Sequence, residues 1–248
     1  MRSLSKIDSQ SNLVVGLIPA RWSSSRFEGK PLAEINGVPM IRRVYEQACK
    51  AETLDTVVVL TDDHRISTYC SQNEMRCIVV DSPCRTGTDR CAKVLDLVDG
   101  NIFVNIQGDE PIIDPENIDA VVNAIQEDKC ICVTNAYTLI SDDYKCFDPN
   151  VVKVVVDTED FALYYSRKYI GEKQQLGLYA FTRDLLKEFP NLPVGDNEIN
   201  EQVEMLRYIE NGYGVKMVHV ADAGLSVDTP EDLKMVEKYL DGLSVRQH

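Results

Sequence analysis

The chain has 248 residues, 44% of them hydrophobic, which is sufficient for one α/β domain with a sizeable core. Its formal net charge of -14 at pH 7 argues against nonspecific binding to nucleic acid or to an acidic membrane surface. No window approaches the roughly 18 to 20 consecutive apolar residues of a membrane-spanning helix, and the polar MRSLSKIDSQSN start lacks the apolar core of a signal peptide, so we expect a cytoplasmic protein.

Short β-branched runs alternate with longer amphipathic segments along the chain. The runs predict strands at 13–20, 56–62, 76–81, 101–107, 130–137 and 151–157, and the segments between them predict helices at 39–51, 63–74, 87–99 and 115–128. Such alternation indicates βαβ crossovers, and therefore a Rossmann-like, mostly parallel sheet flanked by helices. We expect a single domain over 1–248. Its less regular part, about 137–220, is a candidate for a smaller dimerisation or substrate lobe.

A last helix has a clear start near the end of the chain. In SVDTPEDLKMVEKYL, Thr229 is the expected N-cap and Pro230 suits the first helical position. The preceding VKMVHVADAGLSVD region is strand-like, which places Asp228 at a strand end just before this helix.

The loop after the first predicted strand concentrates positive charge. VVGLIPARWSSSRFEGKPL, at 14–32, offers Arg21, Arg26 and Lys30 among small Ser and Gly residues. Small residues let backbone N–H groups approach an anion, and the cations supply the charge that a triphosphate demands. An exposed basic loop is the alternative. The G-x-x-x-x-G-K-[ST] and G-x-G-x-x-G patterns are absent from the chain, which disfavours a P-loop kinase or an NAD enzyme.

A second stretch, NIFVNIQGDEPII at 101–113, runs from an apolar strand into acidic residues. Magnesium prefers one or two carboxylates together with phosphate oxygens, so Asp109 is a candidate metal ligand and Asp228 the best second carboxylate. The alternative for each is an ordinary aspartate in a turn.

Several motifs together resemble the CMP-KDO synthetase (3-deoxy-manno-octulosonate cytidylyltransferase) family. They appear in the family's order and cover almost the whole chain: IPARWSSSRFEGKPL at 18–32, RTGTDR at 85–90, NIQGDEP at 105–111, DPNVVKVVVD at 148–157, ALYYSR at 162–167, LGLYAFTR at 176–183 and VDTPEDL at 227–233. The resemblance implies an α/β nucleotidyltransferase fold, a homodimer, CTP as donor, magnesium as cofactor, and KDO or a KDO-like 3-deoxy-2-ulosonic acid as acceptor for lipopolysaccharide synthesis.

The resemblance also implies roles for individual residues. The catalytic residues would be Arg21, Lys30 and Asp109, and the metal ligands Asp109 and Asp228. The nucleotide would be bound by Arg21, Ser23, Arg26, Lys30, Arg85, Gly87, Thr88 and Gln107. The sugar acid would be bound by Arg167, Gln175, Tyr179 and Glu204.

The chain departs from the family mainly on the sugar side. Gln175 stands where family members usually carry His, Met205 replaces a Gln that would face the acceptor, and the loop after Tyr169 is shortened. Asp89 also stands where many members have Glu. Because a site built around substrate hydroxyls discriminates strongly, these changes predict an altered acceptor such as 8-amino-KDO, unless Gln175 hydrogen-bonds KDO as His would.

Two further hypotheses belong to other classes of function. A non-catalytic CTP-binding protein would be expected to have lost a key carboxylate, yet both aspartates are present. A nucleotidyltransferase acting on sugar phosphates would have a glycine-rich first loop, whereas this loop is serine-rich. No general base is evident, and the residues alone do not separate CTP from UTP.

Overall fold

The computed structural model describes residues 13–24 and 26–246 of the chain. The strands are β1 (Val14–Ala20), β2 (Glu34–Ile35), β3 (Val38–Pro39), β4 (Thr56–Thr61), β5 (Cys77–Val79), β6 (Ile102–Ile106), β7 (Val133–Leu139), β8 (Lys153–Val156), β9 (Ala162–Ser166), β10 (Lys173–Thr182) and β11 (Lys216–His219). The helices are α1 (Met40–Ala48), α2 (His64–Gln72), α3 (Gly87–Ala92), α4 (Pro115–Glu127), α5 (Asp143–Phe147), α6 (Arg183–Glu188), α7 (Asp196–Glu201), α8 (Leu206–Glu210) and α9 (Pro230–Arg246). Lys30–Leu32 and Phe189–Asn191 form 3-10 turns.

Nine strands form one sheet in the order β11-β7-β10-β6-β1-β4-β5, and β8 and β9 extend it beside β10. β1 pairs in parallel with β4 and β6, and β11 pairs in parallel with β7. This confirms the predicted mostly parallel sheet. β10, which was not among the predicted strands, runs antiparallel between β6 and β7.

Both faces of the central strands are covered. Alternate residues of β1 enter different apolar clusters: Val14 and Ile18 pack on the face covered by α1 and α4, whereas Val15 and Leu17 pack on the opposite face. Strands buried on both sides read as continuous apolar runs, which is why LVVGLIPA shows no polar alternation. The polar loops are thereby confined to the ends of the strands.

Two predicted boundaries need correction. The helix expected at 87–99 ends at Ala92, and the next residues form three-residue turns, with the amide of Leu97 donating to the carbonyl of Val94. Asp228 does not end a strand, since β11 stops at His219. It lies instead in an extended loop, which the amide of Val227 attaches to the carbonyl of Asp109 at 2.9 Å.

The start of α9 agrees with the prediction. The amide of Thr229 donates to the Asp232 carboxylate at 2.9 Å, and the amide of Asp232 donates to the Thr229 hydroxyl at 3.3 Å. These reciprocal bonds satisfy donors that a helix start leaves free. They also fix the residue just before them, Asp228.

The segment 137–220 contributes both to the main sheet and to the structure beside it. β7, β10 and β11 lie in the main row of strands. The β8–β9 hairpin extends the same sheet beside β10. The division of the chain into a single domain with a lobe stays a prediction. Within 13–24 and 26–246, no helix is long and apolar enough to cross a membrane.

A buried arginine joins the helices on one side of the sheet. The guanidinium of Arg207, in α8, donates to Glu198 in α7 at 2.6 and 2.8 Å and to Asp89 in α3 at 3.1 Å. It also lies over the ring of Phe189, 4.0 Å from the ring centroid. Only 2% of its side chain is exposed, so the charges on all three groups depend on one another.

Arg207→Ala would leave two buried carboxylates without their cation. We expect the free energy of unfolding to fall by about 3–5 kcal/mol, as when one partner of a buried ion pair is removed. Urea unfolding of the variant measures this. Arg42→Ala, which removes an exposed helical pair with Glu46, is the matched control and should change the free energy of unfolding by less than about 1 kcal/mol. An equal, small effect of the two substitutions would contradict the prediction.

Candidate active site

A cavity of about 380 Å³ opens at the carboxyl ends of β1 and β6. Open parallel sheets bind ligands at this edge, and the first loop, the turn before α3 and the loop after β6 meet here. The cavity is lined by most of the residues that the motifs assigned to the nucleotide: Arg21, Ser23, Arg26, Lys30, Arg85, Gly87 and Gln107. Asp109 also lines it.

Glycines allow these loops to approach one another. A Cβ atom at Gly108 would lie 2.7 Å from the carbonyl oxygen of Pro19, so a side chain there would separate the ends of β6 and β1. Gly29 adopts a left-handed conformation (φ 71°), and its amide closes the first loop on the carbonyl of Trp22 at 2.9 Å. Lys30 follows at once, and its side chain turns back toward Asp109.

The two predicted metal ligands converge on one ammonium group. Lys30 Nζ lies 2.8 Å from Asp109 Oδ2 and 3.3 Å from Asp228 Oδ1. Arg26 adds a second cation, 3.1 Å from Asp228 Oδ1. Asp109 and Asp228 are thus brought together across 119 positions of sequence and are held by positive charge.

This donor set fits a magnesium ion that binds together with a phosphate chain. Across the described part of the chain, no group of three or more His, Cys, Asp and Glu side chains is arranged to hold a metal. Asp109 and Asp228 nevertheless face a common cation, and two carboxylates completed by phosphate oxygens and water satisfy magnesium. The two carboxylates are therefore suited to a metal ion whose remaining ligands are phosphate oxygens and water.

The carboxyl group of Glu110 differs from that of its neighbour Asp109. Burial, and secondarily the adjacent charge of Asp109, raise the pKa of Glu110 to about 8. A proton on Glu110 therefore limits the negative charge that accumulates beside Asp109.

A second cavity, also about 380 Å³, adjoins the first. Arg85, Thr86, Gly87 and Gln107 line both cavities, so the two form neighbouring compartments with a common wall. The second is also lined by all four residues assigned to the sugar acid: Arg167, Gln175, Tyr179 and Glu204.

Arg167 gives the second cavity a cation with no acidic partner. Its guanidinium donates to the backbone carbonyls of Glu201 at 2.8 Å, Pro149 at 3.0 Å and Gln202 at 3.4 Å. Among residues 13–24 and 26–246, no carboxylate forms an ion pair with Arg167, and the same holds for Arg21 and Arg85 in the first cavity. Fixed but unpaired cations are suited to anionic ligands.

Gln175 is held so that its amide oxygen is available. Its Nε2 donates to the hydroxyl of Tyr179 at 2.9 Å and to the carbonyl of Leu176. Burial raises the pKa of Tyr179 well above its ordinary value. The Tyr179 hydroxyl is therefore neutral and can donate a hydrogen bond to a ligand.

Glu204 supports the wall between the cavities. It accepts from the amide of Thr88 at 3.2 Å, and burial raises its pKa. Thr88 itself lines neither cavity, contrary to the expectation that it contacts the nucleotide. Its side chain is fully buried, and its hydroxyl accepts from Asn105 at 3.2 Å.

Met205 also differs from the expectation. Its side chain is 0% exposed and belongs to the apolar cluster beneath the sheet, so it does not face an acceptor. The substitution of Gln by Met at this position is therefore a change in the core. Of the two altered positions, only Gln175 lies on the cavity surface.

The residue most clearly missed from the sequence is Thr86, which lines both cavities. Its hydroxyl accepts from the amide of Asp89 at 3.1 Å, and the Asp89 carboxylate accepts from the amide of Thr86 at 3.1 Å. A T-x-x-D capping pattern before a helix could have identified it. No sequence signal pointed to Gln202 and Val203, which also line the second cavity.

Comparison with known proteins gives a match over most of the chain. The family model described as cytidylyltransferase matches residues 15–212. The chain belongs to the cytidylyltransferase family. The "3-deoxy-manno-octulosonate cytidylyltransferase" of Syntrophotalea carbinolica is 42% identical, covering 93% of this chain and 99% of that protein. A protein of Arabidopsis thaliana with the same name, designated mitochondrial, is 40% identical and covers 92% of this chain and 83% of that protein.

A solved structure of CMP:2-keto-3-deoxy-manno-octonic acid synthetase complexed with CTP is also similar to this cytidylyltransferase. It superposes with a TM-score of 0.89 at 35% identity and covers 93% of this chain and 99% of that one. The family resemblance and the fold class expected from the motifs are therefore confirmed. The family makes this chain a nucleotidyltransferase rather than a binding protein without catalysis.

The raised pKa of Glu110 predicts a pH-dependent stability for the cytidylyltransferase. Because the native state holds this proton more tightly, the contribution of Glu110 is fully present below its ordinary pKa of 4.5 and is lost as pH rises to about 8. Glu110→Gln should therefore flatten the decline of the free energy of unfolding over this range. Urea unfolding in EDTA at several pH values measures the effect. Glu127→Gln, at an exposed carboxylate, should retain the wild-type profile, and identical profiles for both variants would refute the prediction.

Proposed function

We propose that this cytidylyltransferase transfers CMP from CTP to KDO or a closely related 3-deoxy-2-ulosonic acid and releases pyrophosphate, in the cytoplasm and for lipopolysaccharide synthesis. The observation that carries the proposal is the pair of adjoining cavities. One contains Arg21, Lys30 and Asp109, and the other contains the unpaired Arg167. The names of the relatives, including the complex with CTP, support the same reaction.

The first cavity would bind the triphosphate of CTP. Arg21 and Arg85 carry positive charges that no described carboxylate neutralises. Ser23, two residues after Arg21 in the first loop, is exposed. In the ligand-free structure, Lys30 forms an ion pair with Asp109, and Arg26 forms one with Asp228. Both cations could instead pair with phosphate oxygens when the nucleotide binds. Gly87 and Gln107 would border the nucleotide where the cavities meet.

Magnesium is the proposed cofactor, held by Asp109 and Asp228 together with the phosphates. When bound, it would neutralise negative charge on the phosphate oxygens. Lys30 would assist from the same position by stabilising the leaving pyrophosphate, because preorganised cations act on charge that develops during the reaction.

The second cavity would bind the acidic sugar. Arg167 is positioned to pair with the sugar's carboxylate, and the Gln175 amide oxygen and the Glu204 carboxylate can accept from hydroxyl groups. Tyr179 can donate its hydroxyl proton to the same ligand. These contacts would orient the anomeric hydroxyl toward the wall that both cavities share.

The reaction joins the two ligands at that wall. The anomeric hydroxyl oxygen attacks the α-phosphorus in line and loses its proton to solvent. A new P–O bond forms, and the bond to the pyrophosphate oxygen breaks. Positioning supplies much of the rate in such transfers. Neither His64 nor His219 lines a cavity, and we assign no general base to the chain.

A second candidate acceptor is the 8-amino derivative of KDO. Gln175, which replaces the usual His, presents an amide oxygen to the cavity, and the carboxylate of Glu204 lines the same space. Both groups accept hydrogen bonds, and an ammonium group only donates them. An ammonium group at the facing position could therefore donate to both acceptors at once, whereas a hydroxyl could donate to only one of them.

We also propose a homodimer. Large exposed apolar side chains occur on α5, at the end of β7, on β9 and just after β9: Leu139 (59% exposed), Tyr144 (87%), Phe147 (71%), Leu163 (55%) and Tyr169 (51%). Phe147 and Tyr169 stack with ring centroids 5.2 Å apart. Exposed aromatic groups of this kind indicate a surface that a second copy covers.

The reaction is tested by pyrophosphate release from CTP and magnesium, with KDO and 8-amino-KDO supplied in parallel. We expect turnover with at least one of the two acids and a loss of about a hundredfold or more in Asp109→Asn, as when a charge-stabilising group is removed. Asp114→Asn, on the same loop, is the matched control because Asn also caps a helix. Preference for KDO would contradict the amino-sugar candidate, and silence with both acids would refute the proposed reaction.

The homodimer is tested by light scattering after size exclusion. Phe147→Asp should convert a dimer to a monomer, because a carboxylate replaces an apolar contact at the proposed interface. Leu97→Asp introduces the same charge at another exposed apolar position and should leave the dimer intact. A wild-type protein with the mass of one chain would refute the proposal.

A further inference from the structure

Trp22 lies near the beginning of the first loop and is the only tryptophan among the 248 residues. Its carbonyl accepts from the amide of Gly29 at 2.9 Å, and its indole N–H donates to Glu28 Oε1 at 3.1 Å. A Cβ atom at Gly29 would lie 3.0 Å from the indole ring, so the ring lies directly over that glycine. Trp22 therefore connects the beginning of the loop to Gly29, the residue immediately before Lys30.

The indole ring is covered by an arginine from another element. The guanidinium carbon of Arg65, in the first turn of α2, lies 3.4 Å from the ring centroid. This distance is typical of a close cation–π stack. In addition to the bonds within the loop, this stack connects the loop to α2, the helix that follows the neighbouring strand β4.

Arg65 is itself held in place by Asp63. Its Nε and one terminal nitrogen donate to the two carboxylate oxygens at 2.9 and 2.7 Å, which is a bidentate pair. The pairing with Arg65 lowers the pKa of Asp63 to about 2. Asp63 also caps α2 by accepting from the amide of Arg65 at 2.8 Å. The guanidinium plane is therefore fixed before any ligand binds.

Neither the indole ring of Trp22 nor the guanidinium of Arg65 lines the first cavity. The cavity wall includes Arg21 and Ser23, on either side of Trp22, and Lys30, which follows the closing glycine. Trp22 and Arg65 can therefore influence a ligand only through these neighbours.

We propose that Trp22 and Arg65 are positioning residues that hold the first loop in its ligand-binding conformation before the nucleotide arrives. A loop that is already ordered loses less conformational freedom on binding, so the affinity for the triphosphate is higher. The inference rests on the proposed function in one respect, the identity of the nucleotide as CTP. The inference gives α2 an indirect role in nucleotide binding, since no residue of this helix lines the first cavity.

The substitution Arg65→Ala removes the stack and leaves every cavity residue in place. We expect the Kd and KM for CTP to rise about two- to fivefold, the ratio that corresponds to a partly exposed cation–π contact. The KM for the sugar acid and the urea midpoint should stay close to the wild-type values. Arg65→Lys should restore part of the affinity. Asp63→Asn should weaken CTP binding in the same direction, because Asn still caps the helix but no longer holds the guanidinium.

The single tryptophan reports on the loop directly. In the absence of nucleotide, acrylamide should quench Trp22 fluorescence more strongly in Arg65→Ala than in the wild type, because one face of the ring becomes exposed. Titration with CTP, followed by the same fluorescence, gives the Kd. Arg76→Ala removes another exposed arginine, bonded to Thr56, and should change neither quantity.

The outcomes separate this inference from the proposed function. CTP binding with equal Kd and equal quenching in wild type and Arg65→Ala would overturn the positioning role. A fall in the urea midpoint with a rise in KM for both substrates would also overturn it, since that pattern indicates a general loss of structure. If the wild type does not bind CTP, the proposed function fails, and equal quenching in the two ligand-free proteins would then overturn the positioning role separately.

Discussion

The approach of two carboxylates to one point is the constraint on which the candidate active site depends. Asp109 and Asp228 would repel each other in a chain that already carries a net charge of -14. Lys30 and Arg26 neutralise them, and both cations come from the first loop. The ion cluster thus joins three segments: the end of the first loop, the loop after β6 and the residue just before α9. The cations proposed to bind the triphosphate are the same ones that hold Asp109 and Asp228 together in the ligand-free structure.

The direction of β10 explains why a second cavity lies beside the first. Because β10 runs antiparallel to β6, the residues at its middle lie next to the carboxyl end of that strand, where Leu178 pairs with Ile106. The pairing of β10 with β7 is interrupted between Gln175 and Tyr179. A Cβ atom at Gly177, within this irregularity, would lie 2.4 Å from Gln107 Cγ. The absence of a side chain there allows Gln107 to stand in the wall between the cavities.

The sequence predicted the parts of this arrangement that follow from strand order. Residues after the first and fourth predicted strands had to meet at one edge of a parallel sheet, which was enough to bring Arg21 and Asp109 together. β10 was not predicted as a strand, and periodicity would not have revealed its antiparallel direction. Burial depends on tertiary packing, which the motifs do not report. Thr88, which was assigned to the nucleotide, and Met205, at a position expected to face the acceptor, both lie in the interior. The stack of Arg65 on Trp22 joins residues 43 positions apart, and neither residue type indicates such a contact by itself.

The distribution of unpaired charge connects the two cavities to the kind of reaction proposed. Acidic residues exceed basic ones by 14, yet among the described residues Arg21, Arg85 and Arg167 face the cavities without a carboxylate partner. A cation left without a counter-charge costs free energy when a ligand displaces its water, and an anionic ligand offsets that cost. A neutral sugar in the second cavity would leave Arg167 desolvated and unpaired, whereas an acidic sugar would supply the missing carboxylate. Under the proposed function, selection for an acidic acceptor would therefore follow from the position of one arginine. Selection among acidic sugars would depend on the hydrogen-bond acceptors around it, above all Gln175 and Glu204.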